Sequence, residues 1–291
     1  MSACPIHENL SSISHCCRVK KYPDGSTEIL AASRPVFREK GWEPMEELPP
    51  KLHDSSGGDA AAANPGPTQT GQERAARRAA AKIRDLALCN RFRWFVTLTL
   101  DQTKIDRYDI KAITRKLNSW LDNQVRRKGL CYVLVPERHK DGAIHFHGFF
   151  NDIPGFVSSG TWKVPGRAKP VRPRSQRQAT EWSAAGGEQG YHEVCNFEGW
   201  PYGFTTAIEL YGDYHSAVAY VCKYVRKQTG EGGKIGGRWY YSGGALALPE
   251  VELCDIGPEE LLTADPTAYS FNIEEAALSF CLVRTGPAGR A

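Results

Sequence analysis

The chain has 291 residues, 41% of them hydrophobic and 24% charged, as expected for a soluble protein of one large domain with tails or two small ones. No run approaches about 18 consecutive apolar residues, and no basic segment followed by an apolar one opens the chain, so neither a membrane span nor a signal peptide is expected. Net charge is only +4, and nine scattered cysteines with no Cys-x-x-Cys pair argue against a disulfide framework or a four-cysteine zinc site and for a reducing cytoplasm.

Residues 1 to 70 are expected to be a weakly ordered N-terminal segment. Within it, Gly57-Gly58-Asp59-Ala60 to Thr70 is rich in Ala, Gly, Pro and Thr, has no apolar period and reads as a linker. Gln72 to Leu88 reads as a helix from its Ala and Arg content, with Ala75, Ala79, Ile83 and Leu86 on one stripe. From Gln72 to Arg93 there are seven basic and two acidic residues, among them Arg74, Arg77 and Arg78. Phe92 to Leu100 alternates apolar and hydroxyl side chains, which predicts a strand with one polar face. Ile110 to Arg127 follows as an amphipathic helix with Ile113, Leu117, Trp120, Leu121 and Val125 on one side.

Leu130 to Pro136 is the second predicted strand, Lys140-Asp141-Gly142 a hairpin turn, and Ala143 to Asn151 the third strand. Residues 152 to 200 are rich in Gly, Pro and Arg with little periodicity and read as an excursion from the core. Their run from Lys163 to Arg177 carries six basic residues and no acidic one. Phe204 to Leu210 is a further strand, His215 to Lys227 a helix and Gly230 to Gly237 a flexible loop, after which Trp239-Tyr240-Tyr241 closes the domain. Pro249 to Glu275 carries eight acidic residues and no basic one, and residues 246 to 291 read as an acidic C-terminal appendix. Strands joined by a hairpin and interleaved with helices predict an α+β domain over residues 71–245, with a mostly antiparallel central sheet and flanking helices. The separate basic runs are candidate contacts for a polyanion such as nucleic acid.

Chemistry concentrates in His145-Phe146-His147. In a strand, residues two apart share a face, so both imidazoles aim at one place, an arrangement that suits a divalent metal. Glu137 ends the strand that folds back on the histidine strand, and pairing would bring its carboxylate close to them. A site of two His and one carboxylate leaves open coordination positions. The alternative is two buried, hydrogen-bonded histidines. Gly148, Phe149 and Phe150 break the His-x-His-x-Asp-His pattern of metallo-hydrolases, and Phe149 replaces the last histidine of histidine-triad nucleotide hydrolases. His139 is a spare ligand or an exposed turn residue.

On the helix from Ala217 to Lys227, Tyr220 and Tyr224 are one turn apart. Val218, Val221, Cys222 and Val225 form its apolar stripe, and Tyr220, Tyr224, Lys223 and Lys227 fall on the other side. The tyrosines either pack at the rim or act as nucleophiles. A phenol of pKa about 10 needs help to attack phosphorus, which a metal on the phosphate and a lysine beside the phenolate would supply.

Three stretches together resemble the HUH endonucleases, the rolling-circle replication initiators. Phe95-Val96-Thr97-Leu98-Thr99-Leu100 is similar to their first motif and His145-Phe146-His147 to their second. Tyr220-Val221-Cys222-Lys223-Tyr224-Val225-Arg226-Lys227 resembles the third in its two-tyrosine, phage-type form. The resemblance covers roughly residues 88 to 242. It implies a ferredoxin-like, HUH-type sheet, with Mg²⁺ or Mn²⁺ held by Glu137, His145 and His147. It further implies attack by Tyr220 or Tyr224 on single-stranded origin DNA, through a 5′-phosphotyrosine link that leaves a 3′ hydroxyl to prime synthesis. Lys223 and Lys227 would assist, and the second tyrosine would cut the regenerated origin and allow joining. No Gly-x-x-x-x-Gly-Lys-Ser/Thr sequence is present, so unwinding is expected to fall to a separate host helicase in the bacterial cytoplasm, for a phage or plasmid replicon. The basic residues are candidate phosphate contacts, and Trp162 and Trp182 candidate platforms for bases. A relaxase or transposase of the same chemistry, a DNA-binding regulator without nicking, and a metal-dependent phosphodiesterase using water are the competing expectations.

Overall fold

The computed structural model describes residues 14–38, 69–210, 214–230, 233–273 and 277–286, divided between two units. The first unit joins strands from both ends of the chain. β1 (Ser14–His15) pairs with β4 (Phe37–Arg38), and between them lie β2 (Cys17–Lys21) and β3 (Thr27–Ala32). The second unit, Gly66–Leu248, runs α1 (Gln69–Asn90), β5 (Trp94–Leu100), α2 (Ile110–Lys128), β6 (Tyr132–Arg138), β7 (Ile144–Phe150), β8 (Phe156–Lys163) and α3 (Gln176–Ala185). It continues through β9 (His192–Phe197), β10 (Gly203–Glu209), α4 (Tyr214–Gly230) and β11 (Tyr241–Gly243). The chain then returns to the first unit with β12 (Glu250–Cys254), α5 (Pro258–Ala264), β13 (Tyr269–Ile273) and β14 (Leu278–Thr285).

The architecture is α+β, and every strand ladder among the described residues is antiparallel. In the second unit seven strands run in the order β11-β6-β7-β5-β10-β9-β8. The alternation seen in β5 sorts its residues by face. Trp94, Val96, Leu98 and Leu100 enter a core with Ile113, Leu117, Trp120 and Leu121 of α2, while Phe95, Thr97 and Thr99 point the other way. Asp109 caps α2 by accepting from the Ala112 amide at 3.0 Å, and Gly129, at φ 67°, ends it in the left-handed conformation. α1 and α4 pack on each other and on β6, covering part of the opposite face. The Lys140-Asp141-Gly142 turn is present, with Gly142 at φ 85° and its amide donating to the His139 carbonyl at 2.8 Å.

The structure corrects three expectations. The stretch 152–200 is not an excursion as a whole. β8 and β9 extend the central sheet, and only about residues 164 to 191 leave it. A register shift between Ser158 and Thr161 breaks the period-2 pattern that would have marked β8. Residues 14–38, expected to be weakly ordered, contain strands, and the expected linker lies almost entirely outside the described residues. The acidic tail is no appendix, because β12, β13 and β14 join β2 and β3 in one sheet of order β12-β2-β3-β14-β13. Charge explains the pairing: β2 reads Cys-Arg-Val-Lys-Lys and faces Glu-Val-Glu of β12, with Lys21 bonded to Glu252. Buried Glu28 of β3 takes Lys20 at 3.2 Å and Arg284 at 2.8 Å from the strands on either side.

Close approach of β6 to β7 depends on Gly148. A Cβ there would stand 1.9 Å from the Val133 carbonyl oxygen and 2.9 Å from the Leu134 Cα. Gly148→Ala is therefore expected to cost about 1–3 kcal/mol of stability through strand displacement. Denaturant unfolding reads this as a lower midpoint, and an unchanged midpoint contradicts it.

Candidate active site

Strand pairing sets two rows of side chains across the open face of the sheet. Glu137 of β6 lies opposite His145 of β7, which lies opposite Thr99 of β5. One step along, Val135, His147 and Thr97 form the parallel row. The hydroxyl of Thr97 is 3.0 Å from His147 Nδ1, and that of Thr99 is 3.3 Å from His145 Nδ1. Each threonine thus engages one ring nitrogen and leaves Nε2 for another partner. These two residues were legible only as a polar strand face, since alternation places a hydroxyl on that face without naming what it bonds.

α4 brings the tyrosines over these rows. Val218, Val221, Cys222, Val225 and Gln228 are buried beneath the helix, which leaves Tyr220, Tyr224 and Lys227 above the polar face. The Tyr224 ring stacks on His147 with centroids 4.4 Å apart and planes 5° from parallel. Its hydroxyl donates to the Tyr220 hydroxyl at 2.7 Å. Tyr220 is 51% exposed and meets Phe95 edge-on at 5.8 Å. Lys227 Nζ bonds one oxygen of Glu137, and His147 Nε2 lies 2.7 Å from the other. Gln228, which no sequence signal singled out, ties the helix to the sheet by donating to the Pro136 carbonyl at 2.8 Å and the Trp239 carbonyl at 3.2 Å.

The expected cluster therefore assembles in large part: Glu137, His147, Tyr220, Tyr224 and Lys227 are joined by direct contacts. His145 stands beside His147, rings nearly parallel and 6.5 Å apart. Lys223 is exposed on α4 and takes no described part in the cluster. His139 is an exposed turn residue held by Asp141 at 3.2 Å, with its ring 5.1 Å from that of His145. Arg74, Arg77 and Arg78 are exposed on α1. Trp162 is buried and packs with Trp182 at 6.2 Å, which in turn stacks near Tyr191 at 6.1 Å. Trp162 is thus spent on packing and is not open to a base.

Burial alone would raise the Glu137 carboxyl, but hydrogen bonds from His147 and Lys227 outweigh it and hold the group at about 2. Burial, then repulsion from His139 and His147, holds His145 below the usual imidazole value. Burial also pushes the Tyr224 phenol up, reinforced by its hydrogen bond to Tyr220 and by the charge of Glu137, so Tyr224 keeps its proton.

Among the described residues, no group of three His, Cys, Asp or Glu side chains is closed around a metal position. The donor set nevertheless fits a divalent cation. Two imidazoles and one carboxylate share a face, the threonines engage the Nδ1 atoms, and Glu137 already holds the positive Lys227.

Residues 93–229 match a family of replication-associated proteins, the ORF2 type. The match begins just before β5 and ends in the last turn of α4, so it contains every residue of the cluster. This region is thus similar to a class of replication-associated proteins. No curated protein and no solved structure gives a significant match. No helix among the described residues is long and apolar enough to cross a membrane.

Because the folded-state pKa of Glu137 is depressed, its ion pairs contribute stability above the ordinary carboxyl value of 4.5 and lose it as pH falls toward about 2. In metal-free buffer the wild type should melt higher than Glu137→Gln at neutral pH, and the gap should close between those two values. A gap that stays constant across that window contradicts the ion pairing.

Proposed function

We propose that the second unit is a single-stranded DNA nicking and joining enzyme that initiates rolling-circle replication. The observation that carries this reading is the contact of two adjacent phenols with a His, Glu and Lys cluster on one sheet face. The match to replication-associated proteins supports the biological setting. Mg²⁺ or Mn²⁺ held by Glu137, His145 and His147 would supply positive charge to polarise the scissile phosphate.

The chain's own residues account for the remaining chemistry. A tyrosine oxygen bonds to phosphorus, the 3′ oxygen departs and takes up a proton, and the 5′ phosphate stays on the enzyme. Tyr220 is the better placed first nucleophile, since it is exposed and accepts a hydrogen bond from Tyr224 that would stabilise its phenolate. Lys227, displaced from Glu137 as the site fills, would balance charge on the phosphate or phenolate. Tyr224 then serves when the origin is regenerated. A phosphotyrosine link conserves the phosphodiester bond energy, so joining requires no ATP. Exposed Arg74, Arg77 and Arg78 are suited to phosphate contacts, and unwinding is assigned to a separate helicase.

The test uses labelled single-stranded oligonucleotides tiling both strands of the DNA around the gene, incubated with full-length protein and Mn²⁺. A covalent adduct on a denaturing gel, lost in the Tyr220→Phe/Tyr224→Phe double variant, is expected. Cleavage without an adduct that persists in the double variant would assign hydrolysis by water instead, and no cleavage of any oligonucleotide would leave a DNA-binding regulator.

A further inference from the structure

The row that starts at Glu137 does not end at Thr99. The ladder continues from Thr99 of β5 to Phe204 of β10, so Glu137, His145, Thr99 and Phe204 stand in one line across four adjacent strands. β10 follows the same alternation as β5. Thr205 and Ala207 are buried in the core direction, while Phe204 and Thr206 are exposed on the face that carries the histidines. Phe204 is 67% exposed, more than any other large hydrophobic side chain among the described residues. Its neighbours in the row and along the strand on that face are Thr99 and Thr206, which give the ring little apolar surface to bury against.

We propose that Phe204 is a stacking platform for one base of single-stranded DNA beside the scissile phosphate. Two strand spacings, about 10 Å, separate its row position from that of His145, within reach of a nucleotide flanking the bond to be cut. An aromatic face on a rigid strand stacks with any base, and such contacts do not depend on sequence. Charge favours a polyanionic strand continuing in this direction. By register, Lys163 of the edge strand β8 falls on the same face through His192 and Val194. It opens the run whose cations Arg167, Lys169, Arg172, Arg174 and Arg177 are all exposed. A strand leaving the tyrosines would cross Phe204 and meet these cations at the sheet edge.

This inference rests on the single-stranded DNA reading above, and the experiment separates the two. The probe is the oligonucleotide on which the wild-type protein forms its adduct, measured by fluorescence anisotropy in EDTA so that no cleavage occurs. A matched set carries one abasic site at each position from four nucleotides before the cut to four after it. Phe204→Ala and Phe204→Leu should bind the intact strand about 5- to 150-fold more weakly, while Phe204→Trp binds like wild type. One abasic position flanking the cut should weaken wild-type binding by a similar factor and have no further effect on Phe204→Ala. Unchanged binding by Phe204→Ala, or losses that simply multiply at every abasic position, would overturn the platform while leaving the nicking reading in place. Failure of the wild type to form an adduct with any oligonucleotide would remove both. Thermal melting of the variants should match wild type, as an exposed ring predicts, and Phe204→Trp keeps the test decisive if Phe204→Ala folds poorly.

Discussion

Everything at the candidate site depends on the antiparallel register of β6, β7 and β5. Side chains alternate faces with a period of two, so a slip of one residue would send His145 and His147 into the core and Phe146 to the surface. The register is held by bulk on one side and by closeness on the other. Phe146 and Phe150 are fully buried among Trp120, Leu134 and Leu98, and Gly148 admits the Val133 carbonyl where a side chain would clash. Burying each such aromatic contributes about 1.5–3 kcal/mol, so a slipped register would forfeit several of these at once. The polar face is therefore rigid because the opposite face is well packed.

α4 adds the second half of the site by a different device. Its valine stripe fixes the rotation of the helix, and Gln228 fixes its height by bonding carbonyls of β6 and the segment before β11. Given that rotation, tyrosines four residues apart must lie side by side over His147, and Lys227 must fall near Glu137. The ion pair of Lys227 with Glu137 and the His147 contact to the same carboxylate keep the acid ionised in a half-buried place. A cation entering between the histidines and Glu137 would exchange one positive partner for another, so filling the site needs little change in local charge balance.

Much of this was legible from the residues. The His-x-His spacing, the position of Glu137 across a hairpin turn, the alternation of β5 and the one-turn spacing of the tyrosines are local signals, and local signals survive folding. What escaped depends on long-range pairing. Nothing local shows that Thr97 and Thr99 meet the histidine Nδ1 atoms, that Gln228 is an anchor, or that Phe204 extends the row. The sheet of the first unit escaped for the same reason, since β2 and β12 are separated by the whole second unit and neither carries enough apolar alternation to announce itself. Lys223 shows the opposite error: spacing put it on the same side of the helix as Lys227, but only Lys227 reaches the carboxylate.

The central claim is that the strand register gathers Glu137, His145 and His147 around one divalent cation beside the tyrosines. Pulsed electron paramagnetic resonance of Mn²⁺ bound to the full-length protein tests it most directly. The account predicts nitrogen couplings from two imidazoles, one lost in His145→Ala and the other in His147→Ala, with weaker Mn²⁺ binding in Glu137→Ala. Mn²⁺ bound through oxygen ligands alone, or nitrogen couplings that survive both histidine substitutions, would contradict it.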